Sequence, residues 1–153
     1  MWLSEQTFRT VIASSPLVSI DLVIRNREGR ILLGRRLNRP AQEFWFVPGG
    51  RIQKNEPLDE AFLRITKYEL GQSFTRRQAR LMGVYEHFYP DSVFGPEGKA
   101  PDTHYVVLGY TMFLPDEFNL VPPALQHSDY RWWRRDEMLV SPEVHQYAQD
   151  YLK

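Results

Sequence analysis

A chain of 153 residues, 42% of them hydrophobic, is long enough to close one compact domain around a buried core. Nineteen basic residues balance nineteen acidic ones, so no net field recruits nucleic acid or an anionic membrane, and the absence of cysteine excludes a disulfide framework, a zinc thiolate site and a thiol nucleophile. The chain opens without a basic segment followed by a long apolar run and contains no run of about 18 apolar residues, which makes the cytoplasm the expected compartment.

Ser4 suits the N-cap of a short helix carrying Phe8, Val11 and Ile12 on one side, and Ser14-Ser15-Pro16 ends it. Leu17 to Arg25 and Arg30 to Arg36 read as strands of a β-hairpin with its turn at Arg27-Glu28-Gly29. Asn38-Arg39-Pro40-Ala41 is loop, Phe44 to Val47 is a short aromatic strand, and Pro48-Gly49-Gly50 is expected to break it. From Pro57, Leu58, Ala61, Phe62 and Ile65 recur at helical spacing until Gly71 supplies the stop. Leu81 to Tyr89 and Tyr105 to Phe113 read as strands joined by a loop over Asp91 to Asp102. Tyr130-Arg131-Trp132-Trp133 is a last strand, and Pro142 is expected to open a terminal helix. The architecture predicted is a mixed sheet with helices packed on it.

The stretch from Gly49 to Gly71 concentrates the chemistry. Two glycines, a loop holding Glu56 and a helix ending at Glu69 would bring backbone carbonyls and a carboxylate together, a seat for a divalent cation. Gly50, Glu56, Arg64, Glu69 and Gly71 stand at the spacing of the Nudix box, G-x5-E-x7-R-E-U-x-E-E-x-G-U, which this segment resembles. Ile65 and Tyr68 occupy positions where that pattern has glutamates, and Thr66 and Gln72 occupy aliphatic positions. The resemblance implies an α/β Nudix fold over residues 1–153 as a single domain, its mixed sheet sandwiched between helices. Multi-metal clusters need several carboxylates, so one remaining helix carboxylate in this part of the box suggests one magnesium ion per subunit.

Within the Nudix family, the thinned box, together with Pro16 to Asp21, Asn38 to Gln42, Phe44 to Arg51 and Thr103 to Gly109, resembles the GDP-mannose mannosyl hydrolases. That likeness implies a homodimer hydrolysing GDP-mannose, or a related GDP-hexose such as GDP-glucose, to GDP and free sugar by inverting water attack at the anomeric carbon. It implies metal ligation by Gly49, Glu69 and Gln126, and His127 as the general base, a task suited to an imidazole whose ordinary pKa lies near neutrality. Arg36 and Arg51 would stabilise charge on the leaving diphosphate, with Tyr105 donating to it, and Asp21 would stand on the sugar side. Phe8 is a candidate guanine contact and His87 a candidate contact to sugar or phosphate.

The residues alone leave alternatives open. Arg35 could take the place of Arg36, and Asp21 in an apolar strand could simply face solvent. Glu56 and Arg64 read as a salt bridge bracing the loop against the helix rather than as catalytic groups. His104 and His145 read as structural or exposed, and Arg76, Arg77 and Arg80 as a solvated face. The competing functions are a pyrophosphatase cleaving a nucleoside diphosphate derivative at phosphorus, and a catalytically silent binding module.

Overall fold

A computed structural model describes residues 2–114 and 127–153, with His127 and Ser128 described by backbone alone. Among the described residues, seven strands form one mixed sheet whose main path runs β3, β2, β1, β6, β5. Strand β1 (Leu17–Asn26) is its axis: it runs parallel to β6 (Thr103–Leu114) over ten residue pairs and antiparallel to the end of β2 (Ile31–Arg36). A run this apolar is buried on both faces, as β1 is from Ser19 to Ile24. The β1–β2 turn is closed by Asn26, whose Oδ1 accepts from the N–H groups of Glu28 and Arg30. The remaining strands are β3 (Trp45–Phe46), β4 (Gly49–Arg51), β5 (Ala79–Tyr89) and β7 (His127–Trp133).

Two cores flank this sheet. Ile20, Leu22 and Ile24 pack with Ala61, Phe62, Ile65 and Leu70 of α2 (Leu58–Leu70), whereas Val23 packs on the opposite face with Trp133, Met138, Ala148 and Tyr151. Strand alternation therefore puts Asp21 on the face of Val23. Helix α1 (Glu5–Ser14) is capped by Ser4, whose Oγ accepts from the Thr7 N–H, and α2 ends at Gly71 in the left-handed conformation, φ +85°. Among the described residues no helix is long and apolar enough to cross a membrane.

Several boundaries differ from expectation. The aromatic strand does break before Pro48, with only Trp45–Phe46 paired to β2, but the glycines that follow are not loop: Gly49–Arg51 forms β4, antiparallel to Ser19–Asp21 of β1. Pro142 does not open the terminal helix. That helix, α4 (Gln146–Asp150), starts where the His145 ring accepts from the Tyr147 N–H, and a further short helix, α3 (Arg135–Val140), precedes it. Arg76, Arg77 and Arg80 lie on the solvated face expected of them, where the Arg76 guanidinium pairs with exposed Asp59 at 2.6 Å.

Thr66 shows why the box departs from an aliphatic residue there. Its buried hydroxyl donates to the Phe62 carbonyl at 2.8 Å and accepts from the Phe74 N–H at 2.9 Å, joining α2 to the chain that follows it. Thr66→Val keeps the shape but leaves a buried N–H without its acceptor. It should lower unfolding free energy by about 1–3 kcal/mol in urea titrations, with the folded-state circular dichroism retained.

Candidate active site

The loop entering α2 is built by one arginine. Arg64 Nε and Nη2 donate to the two Glu56 oxygens at 2.6 and 2.9 Å, Nη2 also donates to the Arg51 carbonyl at 2.8 Å, and Glu56 Oε1 accepts from the Gln53 N–H at 3.0 Å. The Arg64 hydrogen bonds hold the Glu56 carboxyl below the usual carboxylate range. Glu56 and Arg64 thus form the brace expected of them. The residue after Arg64, Ile65, is a core residue beneath Gly50, where an added Cβ would stand 3.2 Å from its Cγ1. Tyr68 is half-buried.

Glu69 is 2% exposed, and its carboxylate accepts from the Gly49 N–H at 3.3 Å and from the Tyr130 hydroxyl at 3.1 Å. Gly49 must be glycine: a Cβ would collide with the Ile20 carbonyl and stand 2.5 Å from Asp21 Oδ1. Asp21 is 7% exposed, not solvent-facing, and the Tyr151 hydroxyl donates to its Oδ2 at 2.5 Å. Burial pushes the Asp21 carboxyl up to about 7, against the opposing pull of the Tyr151 hydrogen bond and the Arg36 charge.

Asp21, Gly49 and Glu69 line a cavity of about 650 Å³, and Arg36, Arg51, Tyr105, Phe8 and His87 line the same space. Arg36 is the member of the arginine pair that reaches it; its Nε donates to the Pro40 carbonyl at 2.8 Å, while exposed Arg35 turns to the Glu43 carbonyl. The Arg51 guanidinium lies 4.7 Å from the Phe8 ring centroid, placing α1 against the cavity. Burial lowers the pKa of Arg51 and raises that of Tyr105. His87 is 4% exposed and stacks on Tyr147 at 4.2 Å; burial depresses its pKa to about 4.

Gln126 and the side chain of His127 lie outside the described residues; the His127 backbone pairs with Arg36, beside the cavity-lining strand end. Tyr68, Tyr89 and Arg39 also line the cavity, and Tyr130 and Tyr151 grip its two carboxyl groups. From the sequence, Tyr68 is expected only as the replacement of a box glutamate and Tyr130 only as a strand residue, and none of the five is expected at the site. The two gripping bonds span 61 and 130 residues, so no local pattern signals them.

Among the described residues no three acidic or histidine side chains converge as a metal cluster. The donors beside the cavity are nonetheless hard oxygens: the Glu69 carboxylate, the Asp21 carboxyl next to Gly49, and the backbone of Gly49. That set fits a single hard divalent cation better than a softer metal or a multi-metal cluster.

Comparison with known proteins agrees with this fold. The NUDIX domain family matches residues 15–152. The low-salt glycan biosynthesis protein Agl8 of Haloferax volcanii is 40% identical over 144 residues, spanning 94% of this chain and 86% of that protein. The ADP-ribose pyrophosphatase of Methanocaldococcus jannaschii is 34% identical over 70 residues, 46% of this chain and 40% of that protein. Among solved structures, the MutT NUDIX hydrolase of Burkholderia pseudomallei superposes with a TM-score of 0.69 at 27% identity, covering 91% of this chain and 97% of that one. The NUDIX domain of Shewanella oneidensis NrtR, solved with ADP ribose, shares the fold at a TM-score of 0.64 and 19% identity, covering 98% of this chain and 97% of that one.

The buried histidine makes acid stability testable. His87 stays neutral in the fold down to about pH 4 but takes a proton near 6.5 when unfolded, so its contribution to stability is lost as pH falls through that window. Asp21 acts in the opposite sense, because its neutral folded form favours folding at low pH and loses that advantage as pH rises towards 7. In EDTA, His87→Phe should therefore lose less stability than wild type between pH 6.5 and pH 4, by roughly 2 kcal/mol in denaturant titrations at the two pH values.

Proposed function

The chain belongs to the Nudix family of hydrolases, and on that footing we propose that it hydrolyses a GDP-hexose, GDP-mannose or a close relative, to GDP and free sugar by water attack at the anomeric carbon. The observation that carries this reading is the make-up of the cavity. Ile65 is sealed in the core and Tyr68 carries no carboxylate, so of these three box positions only Glu69 brings one, while Arg36, Arg51 and Tyr105 line the same space. Such a site is poor in metal ligands and rich in groups that stabilise a departing diphosphate. The likeness to a protein named for glycan biosynthesis is in keeping with a nucleotide-sugar substrate.

In this mechanism His127 takes a proton from water as the water oxygen bonds to the anomeric carbon. The bond from that carbon to the diphosphate oxygen breaks with its electron pair, and GDP leaves. Arg36 and Arg51 meet the charge that grows on the leaving oxygens, and Tyr105 donates a hydrogen bond to them. Burial holds Tyr105 in its protonated, donating form. Asp21 faces the sugar, Phe8 the guanine, and His87, neutral at working pH, can donate one hydrogen bond and accept another there. Gly49, Glu69 and Gln126 would hold magnesium, which would supply electrostatic stabilisation of the diphosphate. A homodimer belongs to the same reading.

The second reading is hydrolysis at phosphorus, favoured by the partial match to an ADP-ribose pyrophosphatase. Hydrolysis of GDP-mannose in water enriched in heavy oxygen separates the two: the label should appear in mannose with GDP unlabelled, whereas label in a nucleotide monophosphate or sugar phosphate would establish attack at phosphorus. Glu69→Gln should raise the magnesium concentration for half-maximal GDP release by at least about tenfold and lower kcat. Unchanged activity at limiting magnesium would remove Glu69 from the metal site.

A further inference from the structure

Beside the stacking of Tyr147 on His87, the C-terminal helix meets the cavity through a hydrogen bond from its C-cap residue to Asp21. Tyr151, at the end of α4, donates to Asp21 Oδ2 at 2.5 Å, and both residues are buried, at 6% and 7% exposure. Asp21 stands in register with Gly109 of β6. A Cβ on Gly109 would lie 2.8 Å from the Tyr85 ring and 3.1 Å from the Tyr151 ring, so the strand is bare where these two rings rest. Tyr85 meets Tyr151 edge-on at 4.7 Å and fixes its tilt. The second oxygen, Oδ1, is pressed against Gly49, where a Cβ would stand 2.5 Å away. Each carboxyl oxygen therefore has its own restraint, Tyr151 on one side and the glycine backbone on the other.

We infer that Tyr151 is a positioning residue: its hydroxyl, carried on a ring whose edge rests over Gly109, fixes the plane of the Asp21 carboxyl so that this group meets the hexose in one orientation. The inference rests on the proposed sugar-side role of Asp21. A carboxyl that receives sugar hydroxyls or faces positive charge on the ring is useful only in the right plane, and a misaligned group forfeits much of its effect. The phenol takes up one carboxyl oxygen and holds the other on the Gly49 side. Loss of the hydroxyl would leave the ring packing in place and free the carboxyl to rotate.

The test compares wild type, Tyr151→Phe, Asp21→Asn and the double variant for GDP release from GDP-mannose, GDP inhibition, and urea unfolding without ligand. Tyr151→Phe should lower kcat about tenfold with KM and GDP inhibition within about twofold, and the double variant should match Asp21→Asn alone. Additive kinetic losses would mean that Tyr151 acts through general packing and would overturn the inference. So would a Tyr151→Phe enzyme of near wild-type kcat beside an Asp21→Asn enzyme that has lost its activity, an outcome that leaves the proposed function standing. Full activity of Asp21→Asn would remove the role of Asp21 and the inference with it. The unfolding cycle needs no substrate: coupled effects at the two positions support the restraint, and additive ones refute it, even if GDP-mannose proves not to be turned over.

Discussion

The contact of β4 with β1 leaves no room for a side chain at Gly49, and the geometry of the cavity follows from that closeness. The Leu22 N–H donates to the Pro48 carbonyl at 2.8 Å and the Ile52 N–H to the Val18 carbonyl at 2.8 Å, so the short strand is zipped to the central one at both ends. Between these bonds the Gly49 N–H points to Glu69 while its Cα face abuts Asp21. Two acidic groups from different parts of the chain thus meet across one glycine. Their mutual repulsion adds to the burial that keeps Asp21 protonated to near neutrality, and Arg36 opposes it.

The two cores contribute different halves of this arrangement. The α2 layer delivers Glu69 and, through Arg64, the position of the Arg51 carbonyl; the layer of α3 and α4 delivers Tyr151 and supports His87 by stacking on Tyr147. Strand β1 passes between them and carries Asp21. The cavity is therefore a joint between layers rather than a groove in one of them, a place where binding sites commonly form. Phe8 from α1, touching Arg51 on one side and Phe94 on the other, closes the joint from a third direction.

Legibility in the sequence followed the range of each interaction. The cap at Ser4, the stop at Gly71 and the Glu56–Arg64 brace depend on residues at most eight positions apart, and all three could be read from spacing. The break of the aromatic strand before Pro48 was legible, but β4 was not, because glycine marks a strand break and a close strand approach with the same letter; only the Ile20 carbonyl and the Asp21 carboxyl facing Gly49 reveal the second. Helix α3, six residues long, is too short to show a periodicity. The gathering of Asp21, Arg36, Arg51, Glu69 and Tyr105 was expected from resemblance to a family pattern rather than from spacing. Tyr130 and Tyr151 belong to contacts that exist only after the sheet has formed, and nothing beside them in the chain announces a role.

Ile65 makes the altered box part of the hydrophobic core. Its side chain fills the space under Gly50 within a core that includes Phe62 and Ile20, and it is 1% exposed. A glutamate installed there would give up that packing and sink a carboxylate into an apolar layer before any second cation could reward it. At this position the packing that fastens α2 to the sheet and the carboxylate of the fuller box pattern exclude one another.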